Sequence, residues 1–384
     1  MLLISECSST ICFTDFARSF YGGGKTVTES LDNKYLVDAY GDWIRDEGIS
    51  VISDFSVDLD TAAVQNWERF GAKGAVIKLV GGDDMVDLWL LEIASATSTN
   101  EMHHLFEAIV YVISGHGSTS ISLAGREHHF EWGPKSMFAI PLNAVYRIFN
   151  TQGSRPARLA VVTSFPITMN LYHNAEFIFN NNFEFPERST SNIEPGDDGR
   201  LITLQRQKET VALWETDFVS DLGGFDKLRP LDFRGKASSN ITFIVSGGSL
   251  HAHISEIPVG SYKKAHKHPD GTHIFPVTGR GYSLLWYPGD REPIRVDWSH
   301  GTAFAPPDAM YHQHFNVSAE PARYFAVRMG SQRHPVTSEM REYWSRSPEE
   351  RVANREQIEY EDEDPSICEM YRSELREIGI DYHM

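Results

Sequence analysis

Basic charge is scarce in this chain. Its 384 residues hold 35 Lys and Arg against 53 Asp and Glu, a formal net charge of −18. Binding to nucleic acid or to an anionic membrane draws on a basic face. None is visible, so neither partner is expected. Cysteine is scarcer still. Cys7, Cys12 and Cys368 form an odd, sparse set, which argues against a disulfide framework and fits free thiols in a reducing cytoplasm. Long apolar runs are also lacking. The opening MLLISECSSTICF has no basic start and carries Glu6. It is too short and polar to span a bilayer, so neither a signal peptide nor an anchor is expected.

What is present is an ordinary globular composition, 12% aromatic and 23% charged, with length enough for two domains. Part of the acid sits in one run, Glu359-Tyr360-Glu361-Asp362-Glu363-Asp364. Its spacing matches no calcium loop, and it reads as a solvated stretch.

The informative feature is an internal duplication. FGAKGAVIKLVGGDDMVDLWLLEIA, from Phe70, resembles FRGKASSNITFIVSGGSLHAHISEI, from Phe233. Each runs through an apolar stretch into a Gly-Gly turn and then toward a Glu, Glu92 or Glu256. An offset of 164 sets Ser114-Gly115-His116-Gly117 on Thr278-Gly279-Arg280-Gly281, and an offset of 166 sets AIPLNAVYRIFN (139–150) on APPDAMYHQHFN (305–316). A repeat this long means two copies of one domain rather than a solenoid.

Within each copy the local signals are β. Runs such as Ile241 to Ile244, Tyr282 to Trp286 and Tyr324 to Arg328 are short and rich in β-branched and aromatic residues, with Gly, Pro and Asp between them. Many short strands at close spacing suggest a closed barrel or jelly roll. Helices are expected only at the flanks, near 59–70, at Ser347-Pro348-Glu349-Glu350 with its capping box, and from Asp364-Pro365 to Gly379. The last would place Ile367, Met370, Tyr371, Leu375 and Ile378 on one stripe.

HKHPDGTH (266–273) packs three histidines between two strand-like runs. If 262–268 is a strand, His266 and His268 share a face and point into the barrel, with Lys264 and Tyr262 behind them. His273 begins the next strand, and His312 lies on a later one. Imidazole suits iron, copper, nickel, zinc and manganese. Ligands from several strands converging on a barrel axis leave coordination positions open. A shift of one residue would turn His273 outward and leave Thr272 facing in. His314 shares the face of His312 and is a candidate general base or hydrogen-bond donor to the site. Lys264 is a candidate to hold a substrate carboxylate or enolate, and Tyr262, Tyr282 and Trp286 could line an aromatic pocket.

Gly260-x5-His266-x-His268 followed by Gly279 resembles the first cupin motif, and 301–316 resembles the second. The chain from about 50 to 330 is therefore similar to a two-domain cupin, a bicupin. ISEIPVGSYKKAHKH, RGYSLLW and FEWGPKSMFAIPLNA are similar to bacterial cupin-domain proteins. More distant relatives include gentisate-type and quercetinase-type dioxygenases and oxalate decarboxylase. The resemblance implies an all-β protein of two tandem cupin barrels with a short helical C-terminal extension. Its expected parts are an N-terminal extension (1–50), an N-terminal cupin (51–190), a C-terminal cupin (210–332) and an acidic helical tail (333–384).

In the cupin motif a Glu commonly follows the His pair by four or five positions, where this chain has Thr272 and His273. The expected ligand set is therefore His266, His268, His312 and His273. The first copy is eroded. The same offsets place Met102, His104, Ile109 and Tyr146 opposite His266, His268, His273 and His312, and Glu107 and His103 do not rebuild a site. That barrel is expected to be structural support.

The resemblance and an all-His ligand sphere imply a non-haem Fe(II) dioxygenase acting on a small oxygenated, phenolic or enolic, substrate. One alternative keeps the site and uses manganese, nickel or zinc for decarboxylation, isomerisation or lyase chemistry. Another is a metal-stabilised binding protein without turnover. The expected partner is a small-molecule substrate, with room for a homodimer.

Overall fold

The computed structural model describes residues 37–82, 84–188, 199–205, 210–269 and 271–384. Cys7 and Cys12 lie outside them. Eight strands build the first barrel: Ala72–Leu79 (β1), Asp87–Ile93 (β2), Ala108–Ser114 (β3), Gly117–Leu123 (β4), Arg126–Trp132 (β5), Met137–Ile140 (β6), Val145–Asn150 (β7) and Ala157–Thr163 (β8). Ser239–Ile244 (β9), Leu250–Ile257 (β10), His273–Thr278 (β11), Arg280–Trp286 (β12), Ile294–Ser299 (β13), Thr302–Phe304 (β14), Tyr311–Asn316 (β15) and Ala322–Met329 (β16) build the second. One wall of the first barrel runs β1-β2-β8-β3-β6 and the other β7-β4-β5. The second repeats this order as β9-β10-β16-β11-β14 and β15-β12-β13.

The duplication extends to individual hydrogen bonds. Asn150 Nδ2 donates to the carbonyls of Ile93, Ala94 and Arg155, and Asn316 Nδ2 to those of Ile257, Pro258 and Glu320. Arg158 pairs with Glu92, and Arg323 with Glu256, across neighbouring strands. The Trp132 indole donates to Thr119 as Trp298 donates to Ser283. Under each tryptophan lies a glycine. A Cβ on Gly117 or Gly281 would fall 2.0 or 1.9 Å from the carbonyl oxygen of Phe149 or Phe315, so only glycine fits.

The larger walls of the two barrels pack against each other. Ile77, Leu90 and Val162 share one buried cluster with Phe243, Ile254, Phe275 and Phe325. Each barrel also borrows a short strand across the expected boundaries. Ser56–Asp58 pairs with β14 of the second barrel, and Phe218–Val219 with β6 of the first.

The barrels differ inside. Helix α1 (Ala39–Glu47) brings Tyr40 and Trp43 onto Trp89, Phe165 and Phe179, with Trp43 and Phe165 4.6 Å apart edge to face. Helices α2 (Phe165–Tyr172) and α3 (Ala175–Phe179) complete this plug. An opening of about 10 Å³ is left beside Trp89, Phe106 and Tyr146. The second barrel keeps a cavity of about 540 Å³.

No helix forms over 59–70. Gln65–Trp67 instead pairs antiparallel with β1, followed by a single 3-10 turn, Glu68–Phe70. Extended backbone there carries Trp67 into the aromatic core, 4.7 Å from Phe70, and that burial outweighs a weak local helix preference.

At the other end, α4 (Ser338–Ser345), α5 (Pro348–Ala353) and α6 (Pro365–Ile378) follow the second barrel. Ser347 and Glu350 form the expected capping box on α5. Asp364 caps α6, and Gly379 ends it at φ 70°. Tyr371 and Leu375 of α6 are buried on the outer face of the second barrel beside Tyr262, Tyr282 and Phe315. Met370 and Ile378 stay exposed. The acidic run is partly solvated, with Glu361, Asp362 and Asp364 exposed, and partly tied down. Glu359 pairs with Lys264, and Glu363 accepts hydrogen bonds from Tyr262 Oη (2.8 Å) and Gln313 Nε2 (2.6 Å). Among the described residues no helix is long and apolar enough to cross a membrane.

Candidate metal centre

The segment ahead of β11 is not a regular strand. Two isolated antiparallel bridges hold it to β15, Tyr262 to Phe315 and His266 to His312. Four steps along the first chain therefore span three along the second, so one residue is extra, as in a β-bulge. The slip reverses facing midway. Tyr262 lies outside, stacked 4.9 Å from Phe315, whereas His266 and His268 face in.

His266, His268 and His312 come together. One ring nitrogen from each lies within 4.8 Å of the other two. Ring centroids of His266 and His268 are 4.3 and 4.8 Å from that of His312. The tautomers follow from the backbone. Nδ1 of His266, His268 and His312 lies 3.0, 3.1 and 3.2 Å from the carbonyl oxygens of Lys264, Pro269 and Met310. A carbonyl only accepts, so each Nδ1 that bonds to one carries the proton and donates it, although at His268 the Arg328 guanidinium, 3.4 Å from the same nitrogen, competes weakly with that arrangement. Each Nε2 keeps its lone pair for the centre, the arrangement of a metal-binding imidazole. Burial holds all three rings neutral. It is the largest influence lowering His312 to about 3, and it takes His266 and His268 well below their ordinary value, with Arg234 and Arg328 adding to it. Three buried, neutral, convergent imidazoles fit a borderline divalent ion.

His273 does not join them. On β11 it points with Phe275 and Val277 toward the core between the barrels, while Thr272 and Ile274 line the cavity. Its pKa falls to about 4, chiefly by burial and then through the ammonium of Lys78. Strand alternation leaves only one of the adjacent pair 272 and 273 facing in, and the register of β11 against β16 (His273 beside Val327, Ile274 beside Ala326) selects Thr272.

Lys264 is displaced for a related reason. The extra residue turns it outward onto Glu359, and Lys263 takes the inward position, its Nζ 3.0 Å from Ser255 Oγ. Tyr262, Tyr282 and Trp286 do not line the cavity before the histidines, although Tyr262 borders a separate surface pocket with Lys264 and Tyr360. They pack on the outer face of the barrel near α6. The aromatic wall of the cavity is Tyr324, Tyr343 and Trp344.

His314 does reach the cavity, its ring 5.5 Å from that of His312. Ser283 Oγ accepts from the Trp298 indole and lies 2.7 Å from His314 Nδ1. With the hydroxyl proton directed to that nitrogen, His314 would carry its own proton on Nε2 and act as a hydrogen-bond donor.

Several cavity residues carry no motif. His251, His253 and Ser255 alternate along β10 and Tyr324, Ala326 and Arg328 along β16. Polar residues at period two in apolar strands are a readable signal. Arg234, Tyr343 and Arg351 come from outside the barrel strands and leave no such trace.

The first barrel shows what the site becomes without ligands. The bridge from Met102 to Tyr146 stands where that from His266 to His312 stands in the second. His104, opposite His268, spends both nitrogens, Nδ1 near the Phe106 carbonyl (2.9 Å) and Nε2 near Tyr146 Oη (3.2 Å). Glu107 is taken by Arg188 and the backbone amides of Ser249 and Leu250.

The family model for auxin binding protein matches residues 50–186, which include the whole first barrel. No curated protein matches the chain. Among solved structures, an oxalate decarboxylase of Bacillus subtilis, a protein with Mn(II) centres, is 13% identical over 73% of this chain and 78% of that one, with a TM-score of 0.45. Vicilin from Capsicum annuum is 14% identical over 72% and 86%, also at 0.45. Vicilin from Corylus avellana is 11% identical over 72% and 85%, at 0.44. Two tandem barrels of one strand order, the first of them matched by that family model, give the chain the architecture of a two-domain cupin. Its second barrel alone brings the three histidines together among the described residues.

Proposed function

We propose that the chain is a metal-dependent enzyme, a non-haem Fe(II) dioxygenase that cleaves a small oxygenated, phenolic or enolic, substrate in the C-terminal barrel. The observation that carries this reading is the commitment of all three Nδ1 atoms to carbonyls, which turns three neutral Nε2 lone pairs on one point. Held by His266, His268 and His312, a divalent ion would keep its full positive charge and would supply Lewis-acid and oxygen-activating chemistry to an anionic substrate. Both oxygen atoms end in the product as a C–C bond breaks, so no external reductant is needed.

The side chains around the trio do the rest. Lys263 and Arg234 favour a substrate that enters as an enolate or phenolate. His314 donates from Nε2 to a substrate oxygen and orients it. Tyr343 and Trp344 from α4 cover the cavity and limit water. Oxygen uptake by iron-loaded protein over a panel of catechols and enolisable ketones tests the proposal. Stoichiometric uptake that is lost in His312→Ala supports it, and turnover undiminished without oxygen contradicts it.

A second reading has its own support. His314, Lys263 and Tyr343 are proton carriers on the cavity wall, which oxygen insertion does not require. Manganese, nickel or zinc would then act as a Lewis acid for decarboxylation, isomerisation or lyase chemistry, and turnover would be anaerobic.

A further inference from the structure

In a chain of net charge −18, the cavity before the histidines has the opposite balance. Its basic wall includes Lys263, Arg234, Arg328, Arg346 and Arg351, and its one carboxylate is Asp232. Arg346 is ion-paired with Glu356. Lys263, Arg234 and Arg351 are buried, and among the described residues none of the three pairs with a carboxylate. Their partners are neutral: Ser255 Oγ for Lys263, Gln357 Oε1 (2.9 Å) and Tyr343 Oη (3.0 Å) for Arg234, and the Tyr343 carbonyl (2.8 Å) for Arg351. Nη1 of Arg351 is buried with no hydrogen-bond partner at all.

Two groups temper their charge without an ion pair: Glu356, already held by Arg346, acts on Arg234, and, against the opposing effect of burial, the arginines pull the Tyr343 phenol below its usual range. Burying cations with so little counter-charge is unfavourable unless something else supplies it. Stacking does not neutralise them. The Arg351 guanidinium lies 3.9 Å from the centre of the Tyr343 ring, which fixes its plane and leaves its charge. A volume of about 540 Å³ suits a small organic molecule rather than a bare inorganic anion. Trp344, Tyr324 and Ile274 give it an apolar wall.

We infer that Arg351, Lys263 and Arg234 form an oxyanion pocket, and that the ligand class is a small organic acid, a carboxylate or a phosphate monoester on an apolar or aromatic body. The inference deepens the proposed function by naming what the cavity selects, and it rests on the metal centre only for where the ligand reacts. Arg351 reaches the pocket from α5, so the C-terminal helices, and not the barrel alone, set specificity.

Calorimetric titration of the full chain with benzoate, phenyl phosphate and benzyl alcohol tests this, with metal-stripped and metal-loaded protein compared. One or both anions should bind at least tenfold more tightly than the alcohol in stripped protein, the tighter anion identifying the head group. Arg351→Gln and Lys263→Met should each weaken that anion at least tenfold and leave the alcohol unchanged. Lys263→Met decides the matter if Arg351→Gln unfolds. Anions no tighter than the alcohol, or unaffected by the folded variants, overturn the pocket even where metal binds normally. Anion binding in protein that takes up no metal leaves the pocket standing and removes the centre.

Discussion

His266 and His312 face each other across a two-residue bridge and exchange both backbone hydrogen bonds, at 3.1 and 2.9 Å. Their rings lie 4.3 Å apart, centre to centre. The backbone alone thus fixes the spacing of two candidate ligands, and each ring is oriented by a carbonyl two residues before it. A centre built this way would be formed before an ion arrives.

Metal binding should therefore stabilise the chain without reshaping it. An ion at a hundred times its dissociation constant adds about 2.7 kcal/mol to a folded state that alone binds it. Thermal unfolding with and without a chelator should show the wild type melting lower when stripped. His312→Ala should melt at one temperature in both.

His273 separates ligand from core. His273→Ala should keep the full metal content of the wild type and lose about 2–4 kcal/mol of stability, the usual effect of emptying a buried site. Urea unfolding beside elemental analysis measures both. Loss of metal in this variant would place His273 in the ligand set after all.

The lysines divide in the same way. Lys263→Met should cut kcat/KM at least tenfold. Lys264→Met should leave it within twofold and cost about 1 kcal/mol or less, as it removes one partly exposed ion pair with Glu359. Steady-state kinetics on the substrate found by oxygen uptake reads the difference.

Acid should destabilise the first barrel through His104. Burial lowers its pKa from 6.5 to about 3, so below pH 6.5 the unfolded chain binds a proton that the folded one refuses. The contribution is complete above pH 6.5 and is lost as pH falls toward 3, with a slope of up to about 1.4 kcal/mol per pH unit. Stability of metal-free protein between pH 7 and pH 4.5 should fall less steeply in His104→Gln.

The two-barrel architecture was legible because offsets of 164 and 166 preserve Asn150 and Asn316, Glu92 and Glu256, and the glycines at 117 and 281, each of which makes the same bond or close contact in both copies. His266, His268 and His312 were legible from spacing. Lys264 was misplaced because strand parity was carried through 262–268 as though the segment were regular, and His273 because the register of the following strand decides which of 272 and 273 faces in. A single extra residue between two isolated bridges breaks that parity, and no side-chain pattern marks it. Lys263 is hidden beside Lys264, since the two differ only in which side of the backbone they leave. Tyr343 and Arg351 reach the cavity from helices that follow the barrel, a tertiary relation that periodicity within a strand does not carry. The helix expected at 59–70 failed because Trp67 buries better from an extended backbone.

Elemental analysis of the purified protein, beside His266→Ala and His312→Ala, tests the three-histidine centre most directly. About one iron per chain, absent from both variants, is the expected result. The same stoichiometry in manganese, zinc or nickel would keep the centre and favour Lewis-acid chemistry. No metal in the wild type, or metal retained in both variants, would contradict the centre itself.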